Sequence, residues 1–173
     1  MPRYVELRRH TANEGDALTH EGVREALEIG RRLTGPYTLL VSSGAQRATQ
    51  TLACFACVLA EPVSGGVVVE PGLRSGVEDR WFTAYRTAGS GELSALREAD
   101  PELVREDSER LAAGLRRILD RLCDGDRALA VGHSPTNEAA VLGLTGEIVS
   151  PMSKGSGVLV IAEGDHARVE PLP

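Results

Sequence analysis

Short apolar runs alternating with helically spaced segments, and reactive residues at the ends of three of those runs, predict an α/β fold. The expected architecture is a single-domain three-layer sandwich, a mostly parallel sheet with helices on both faces. A chain of 173 residues suits one domain over residues 1–173, long enough to bury roughly two thirds of the surface its unfolded form exposes. With 42% hydrophobic but only 3% aromatic residues, its core must be built from Leu, Val and Ala.

The run Tyr4-Val5-Glu6-Leu7 is β-prone and reads as a first strand ending at Arg8-Arg9-His10. Thr19 then caps a helix whose apolar face carries Val23, Ala26, Leu27, Gly30 and Leu33, ending near Gly35-Pro36. Thr38 to Val41 is a second strand, Ser42-Ser43-Gly44 its turn, and Ala48, Leu52, Phe55 and Leu59 the face of a second helix. Val67-Val68-Val69 makes a third strand. Pro71 through Ser90 is Gly-rich and charged with only a weak pattern, so 71–100 reads as a lid or insertion. Leu111, Leu115, Ile118, Leu119 and Leu122 mark a long amphipathic helix from Pro101 to Leu122. Ala128 to Val131 is a fourth strand running into Gly132-His133, after which Ser134 resembles a helix cap with Pro135 at the first helical position. Val158 to Ile161 is a fifth strand able to pair with Arg168-Val169.

A formal net charge of -6 opposes broad nucleic-acid or anionic-membrane binding, so neither partner is expected and any anion site must be local. The N-terminus lacks the apolar stretch of a signal peptide, and no segment approaches the length needed to cross a bilayer. Three cysteines argue against a disulfide framework and for a reducing compartment, so a cytoplasmic location is expected. Cys54 and Cys57 fall inside an apolar helical run and read as core packing rather than a redox pair.

In a sheet of this kind ligands bind beyond the carboxyl ends of the strands, where His10, the Ser42 to Arg47 turn and His133 all lie. Arginine offers a planar fork that takes two phosphate oxygens at once, which suits Arg9 and Arg47. A histidine attacks phosphorus when one ring nitrogen is bare and the other donates a hydrogen bond that fixes the tautomer. His10 is the candidate nucleophile, and His133 is placed to stabilise charge on a transferring phosphoryl group. Simpler readings stand beside these. Arg8 should point to the other side of the strand as a surface charge, Ser42 and Ser43 are turn residues, and His20 and His166 face solvent. Arg74 and Arg80 are solvated unless one reaches a substrate anion, and Trp81 is a packing anchor or a substrate platform.

These elements resemble the histidine phosphatase superfamily, also called the phosphoglycerate-mutase-like family. Its strand, Arg-His-Gly and Leu-Thr-x-x-Gly are matched by Leu7-Arg8-Arg9-His10-Thr11 and Leu18-Thr19-His20-Glu21-Gly22. Its Ser-Ser-x-x-x-Arg-Ala-x-x-Thr is matched by Ser42 to Thr51, and its Gly-His after an apolar strand by Gly132-His133. The resemblance spans residues from near 4 to about 145. It implies a phosphatase acting on phosphate monoesters or phosphohistidine through phospho-His10, with His133 catalytic and Arg9, Arg47 and His133 binding the phosphoryl group. The substrate would be a small phosphorylated metabolite or a phosphoprotein, and neither metal nor cofactor is expected. Two positions depart from the pattern. Thr11 replaces the glycine after the nucleophile and is expected to donate to the phosphate or to crowd it. Leu73-Arg74-Ser75 carries serine where many members have a proton-donating glutamate, leaving Glu78 or Asp79 as substitutes. The rival readings are a mutase, a phosphate-binding module without turnover and a metallohydrolase. The oligomeric state stays open.

Overall fold

The computed structural model describes residues 1–172. In chain order it contains β1 (Arg3–Arg9), β2 (Asn13–Glu14), β3 (Ala17–Leu18), α1 (His20–Arg32), β4 (Leu39–Ser42), α2 (Gln46–Val58) and β5 (Val67–Val69). A 3-10 turn (Pro71–Leu73) leads to α3 (Glu78–Ala88), α4 (Leu93–Ala99), α5 (Pro101–Leu119), β6 (Arg127–Gly132), α6 (Thr136–Thr145), β7 (Gly157–Glu163) and β8 (His166–Pro171). The main sheet has the order β5-β4-β6-β1-β7-β8. Its first four strands are parallel, while β7 pairs antiparallel with β1 and β8 with β7. The terminal hairpin brings Val160 opposite Val169 and Ile161 opposite Arg168, the pairing that the sequence predicts.

Side chains alternate across a strand, so each strand feeds both layers. Leu40, Leu129 and Val131 pack with Ala26 of α1 and Ala48, Leu52 and Phe55 of α2. Val41, Ala128 and Ala130 face the opposite way, into the larger cluster built by α3 to α6. The result is the predicted α/β three-layer sandwich in one domain.

Local features match the sequence in some places and not in others. Thr19 caps α1, accepting a hydrogen bond from the Gly22 amide at 3.0 Å. The buried face of α1 runs through Gly22, Ala26 and Gly30, which turns Val23 outward. Pro135 flanks the start of α6, and the Ser134 hydroxyl donates instead to Glu138 Oε1 at 2.6 Å. Cys54 is half-buried and packs against the core from α2 as expected, whereas Cys57 is exposed and does not. Arg8 is no free surface charge, because its Nε donates to buried Glu6 at 2.7 Å and its guanidinium to the Gly155 carbonyl at 2.9 Å.

The stretch 71–100, which has only a weak pattern in the sequence, is helical and packed into the larger core. Trp81, Ala84, Leu93 and Leu96 carry that packing, and the charged residues between them dilute the periodicity. A buried carboxylate anchors it: Asp107 Oδ2 on α5 accepts from the Trp81 indole N–H and from the Ser75 hydroxyl, both at 2.6 Å. Asp107→Ala leaves the indole N–H buried without an acceptor, and should cost about 2–4 kcal/mol in urea denaturation while changing the emission of the single tryptophan. Stability within about 0.5 kcal/mol of wild type would show that this anchor carries little.

Candidate active site

Parallel pairing of β1 with β6 puts Arg9 opposite Gly132, and the His10 amide donates to the Gly132 carbonyl at 3.1 Å. The residue after each strand is a histidine, so the two rings meet with centroids 5.3 Å apart. Two tight approaches keep this geometry. A Cβ on Gly132 would fall 2.3 Å from Asn137 Oδ1, and one on Gly22 would fall 2.0 Å from the Ala12 carbonyl oxygen. Glycine at these places lets α6 and α1 close on the loops that follow the histidines.

His10 is 4% exposed, and its Nδ1 lies 2.8 Å from the Thr11 carbonyl oxygen. A carbonyl can only accept, so Nδ1 carries the proton and Nε2 is the bare nitrogen in the neutral ring. Burial lowers its pKa to about 4, helped by the charges of Lys154, Arg47 and Arg9 and opposed by the Thr11 bond. His133 Nε2 lies 2.7 Å from Ser43 Oγ, while its Nδ1 is buried without a partner among the described residues. Burial brings the His133 pKa to about 3, with Arg47 and His10 adding to the effect. An orphaned buried nitrogen costs about 1–3 kcal/mol and calls for an explanation in function.

Arg47, in the first turn of α2, donates to Asp16 Oδ1 at 2.7 Å, and Asp16 Oδ2 also accepts from the Gln46 amide. Arg9 donates to the Met152 carbonyl at 2.9 Å. Beneath it the buried Glu138 carboxylate takes the Met152 amide at 2.7 Å; burial raises its pKa and the charge of Arg9 opposes the rise. Arg9, Arg47 and His133 line one cleft of about 530 Å3, together with Glu78, Trp81, Phe82, Tyr85, Pro151 and Met152.

Of the residues singled out in the sequence, Arg9, His10, Arg47 and His133 come together. Thr11 does not join them: it is fully buried, and its hydroxyl donates to the Gly22 carbonyl at 2.8 Å and lies 3.4 Å from Thr51 Oγ1. Both expectations for Thr11, as a phosphate donor and as an obstruction, are therefore corrected. Glu78 is on the cleft wall, half-exposed and paired with Arg74 at 2.7 Å, while Asp79 is outside that wall. Arg80 is held by Asp100 at 2.7 Å, away from the cleft, and His20 and His166 are exposed. Trp81 is both the packing anchor and part of the wall.

Sequence reasoning passed over Ser43, Asp16, Glu138 and Lys154. Lys154 lies in the loop whose Gly155 amide reaches the Arg9 and His10 carbonyls, and its ammonium contacts Asn13 Oδ1. Partial desolvation, Arg9 and Arg47 all push its pKa down. Its only sequence signal is a lysine beside the glycine of a polar loop preceding a strand, which is too common a pattern to point anywhere.

The fold and site define an α/β protein with two neutral histidines in a cationic pocket at the carboxyl edge of its parallel strands. The sequence pattern of the histidine phosphatase superfamily (branch 1) matches residues 4–156, and the chain belongs to that superfamily. No curated protein matches it by sequence. Among solved structures it is similar to a phosphoglycerate mutase from Bacillus anthracis str. Sterne, with 18% identity, a TM-score of 0.73 and coverage of 99% of this chain and 92% of that one. A phosphoserine phosphatase from Entamoeba histolytica, in complex with 3-phosphoglyceric acid, gives 18% identity, a TM-score of 0.71 and coverage of 96% and 94%. The protein histidine phosphatase SixA, complexed with tungstate, gives 19% identity, a TM-score of 0.59 and coverage of 96% and 94%.

The site predicts its own pH response. Both folded pKa values lie below the ordinary 6.5, so the unfolded chain binds protons that the fold refuses. Stability should therefore be full above pH 6.5 and fall as pH drops toward 4, with the His10 and His133 imidazole resonances keeping their neutral positions until pH nears 4. NMR midpoints near 6.5 for both rings would place them in open solvent.

Proposed function

We propose that the chain is a metal-independent phosphatase that hydrolyses phosphate monoesters or phosphohistidine through a covalent phosphohistidine on His10. The observation that carries this reading is the hydrogen bond from His10 Nδ1 to the Thr11 carbonyl, which leaves Nε2 bare in a ring 5.3 Å from that of His133, and His133 lines the cleft with Arg9 and Arg47. Nε2 attacks phosphorus in line, forming the N–P bond as the bond to the ester oxygen breaks. Arg9 and Arg47 hold the phosphoryl oxygens with paired donors, and His133 offers the ring nitrogen that Ser43 does not occupy. Glu78, on the same wall, protonates the leaving oxygen and then takes a proton from the water that cleaves the N–P bond. The same chemistry in a mutase needs cations to hold a second anionic group. Among the described residues the cations on the cleft wall are Arg9 and Arg47; His133 is neutral there, and Lys154, nearby, contacts Asn13 Oδ1. The inward turn of Thr11 also removes the steric argument for a pocket without turnover. The reading includes a cytoplasmic location, supported by three free cysteines.

Acid quenching during turnover of an aryl phosphate should trap an acid-labile phosphoenzyme in the wild type and none in His10→Ala. Wild-type turnover in His10→Ala would sink the mechanism.

Glu78→Gln should slow alkyl phosphates by about 10²-fold or more, the usual range for a general acid, and p-nitrophenyl phosphate far less because its leaving oxygen needs no proton. Equal kinetics on both esters would remove Glu78 from the acid role.

A further inference from the structure

The cleft is lopsided in charge. At the end formed by the sheet edge stand Arg9, Arg47 and His133, with the His10 ring 5.3 Å behind that of His133; the opposite wall is Trp81, Phe82, Tyr85, Pro151 and Met152. Among the described residues the one ionisable carboxyl on that wall is Glu78, the proposed proton donor, and it offers no cation to an anionic leaving group. The nearby cations outside the lining already have partners: Arg74 pairs with Glu78, Arg80 with Asp100, Arg86 lies over the Phe82 ring at 5.9 Å and Lys154 contacts Asn13 Oδ1.

Two of the aromatic rings have no packing duty. The inner side of α3 is filled by Trp81 and Ala84, whereas Phe82 is 69% and Tyr85 51% exposed. They sit three residues apart on neighbouring turns and border the same cleft, and Tyr85 is near enough to Arg9 to influence its charge. Large apolar side chains that are left in solvent beside a charged pocket mark a binding wall. The volume of about 530 Å3 is well beyond what a phosphoryl group fills and falls in the range of small-molecule sites.

We propose that this wall receives the leaving group, and that the enzyme selects monophosphate esters of aromatic or bulky apolar alcohols over esters that carry a carboxylate or second phosphate. The proposal rests on the phosphatase reading above for the placement of the phosphoryl group. The ester would enter with its dianion toward Arg9 and Arg47 and its apolar body against Phe82 and Tyr85, so charge complementarity sets its direction.

The test compares 2-phenylethyl phosphate with ethyl phosphate, whose leaving alcohols are chemically alike, alongside 3-phosphoglycerate and a phosphohistidine-bearing protein. We expect kcat/KM for the phenylethyl ester to exceed that for the ethyl ester by about tenfold, the effect of burying most of one ring. Phe82→Ala and Tyr85→Ala should each shrink that ratio several-fold; both side chains are exposed, so the fold, checked by circular dichroism, should persist. A ratio near one, or a preference for 3-phosphoglycerate or for the phosphohistidine protein, would overturn the proposal. Calorimetry with 2-phenylethylphosphonate and ethylphosphonate reads the wall without chemistry. If no ester turns over, the phosphatase reading fails by itself, while tighter binding of the phenylethyl compound still upholds the apolar wall and equal binding rejects it.

Discussion

A single backbone contact organises the site: the His10 amide donates to the Gly132 carbonyl, closing the parallel pairing of β1 and β6. The register of that pair decides which residues follow the two strands at the same height. A slip of one residue would send His10 or His133 to the opposite layer, because side chains alternate along a strand. The neighbouring loop reinforces the contact, since the Gly155 amide reaches the Arg9 and His10 carbonyls from the other edge. The nucleophile candidate is thus held on both sides by main chain rather than by side chains.

Burial then sets the electrostatics. A protein of net charge -6 collects Arg9, Arg47 and Lys154 around one buried imidazole. Desolvation lowers both pKa values first, Arg47 adds to it on each ring, and Lys154 and Arg9 add to it on His10 and Arg74 on His133, keeping both rings neutral at ordinary pH. The carboxylates nearby are arranged to steady the cations without occupying the cleft's charged end. Asp16 holds Arg47 from the β2–β3 turn, and Glu138 lies beneath Arg9. The site therefore sets an uncharged imidazole beside charged hydrogen-bond donors, the pairing on which the proposed phosphoryl transfer draws.

Much of this was legible in the sequence because it depends on short-range order. Apolar runs ending in Arg-His and Gly-His locate strands and rim residues at once, and Thr19 announces its helix through its own side chain. What escaped depends on contacts between distant segments. Ser43 is a turn residue by every local criterion, and only the fold carries it to His133, 90 residues away. Thr11 looked like a pocket residue because it follows His10, yet the peptide turns there and sends its hydroxyl under α1. The helices between 71 and 100 were hidden because their few apolar residues are separated by charges, and because a buried carboxylate, Asp107, supplies what a longer apolar stripe would have announced.

Trp81 and Phe82 are adjacent in the chain and opposite in obligation. The first is tied to Asp107 within the core; the second stands in solvent, with only the Arg86 guanidinium over its ring. The rim of the cleft can consequently be rewritten at Phe82 and Tyr85 with little penalty to folding, while the mount of His10 on the sheet edge stays untouched. On the proposed reading, chemistry and selectivity sit on separate parts of the chain, and a lineage carrying this fold could drift from one ester to another by surface substitutions alone.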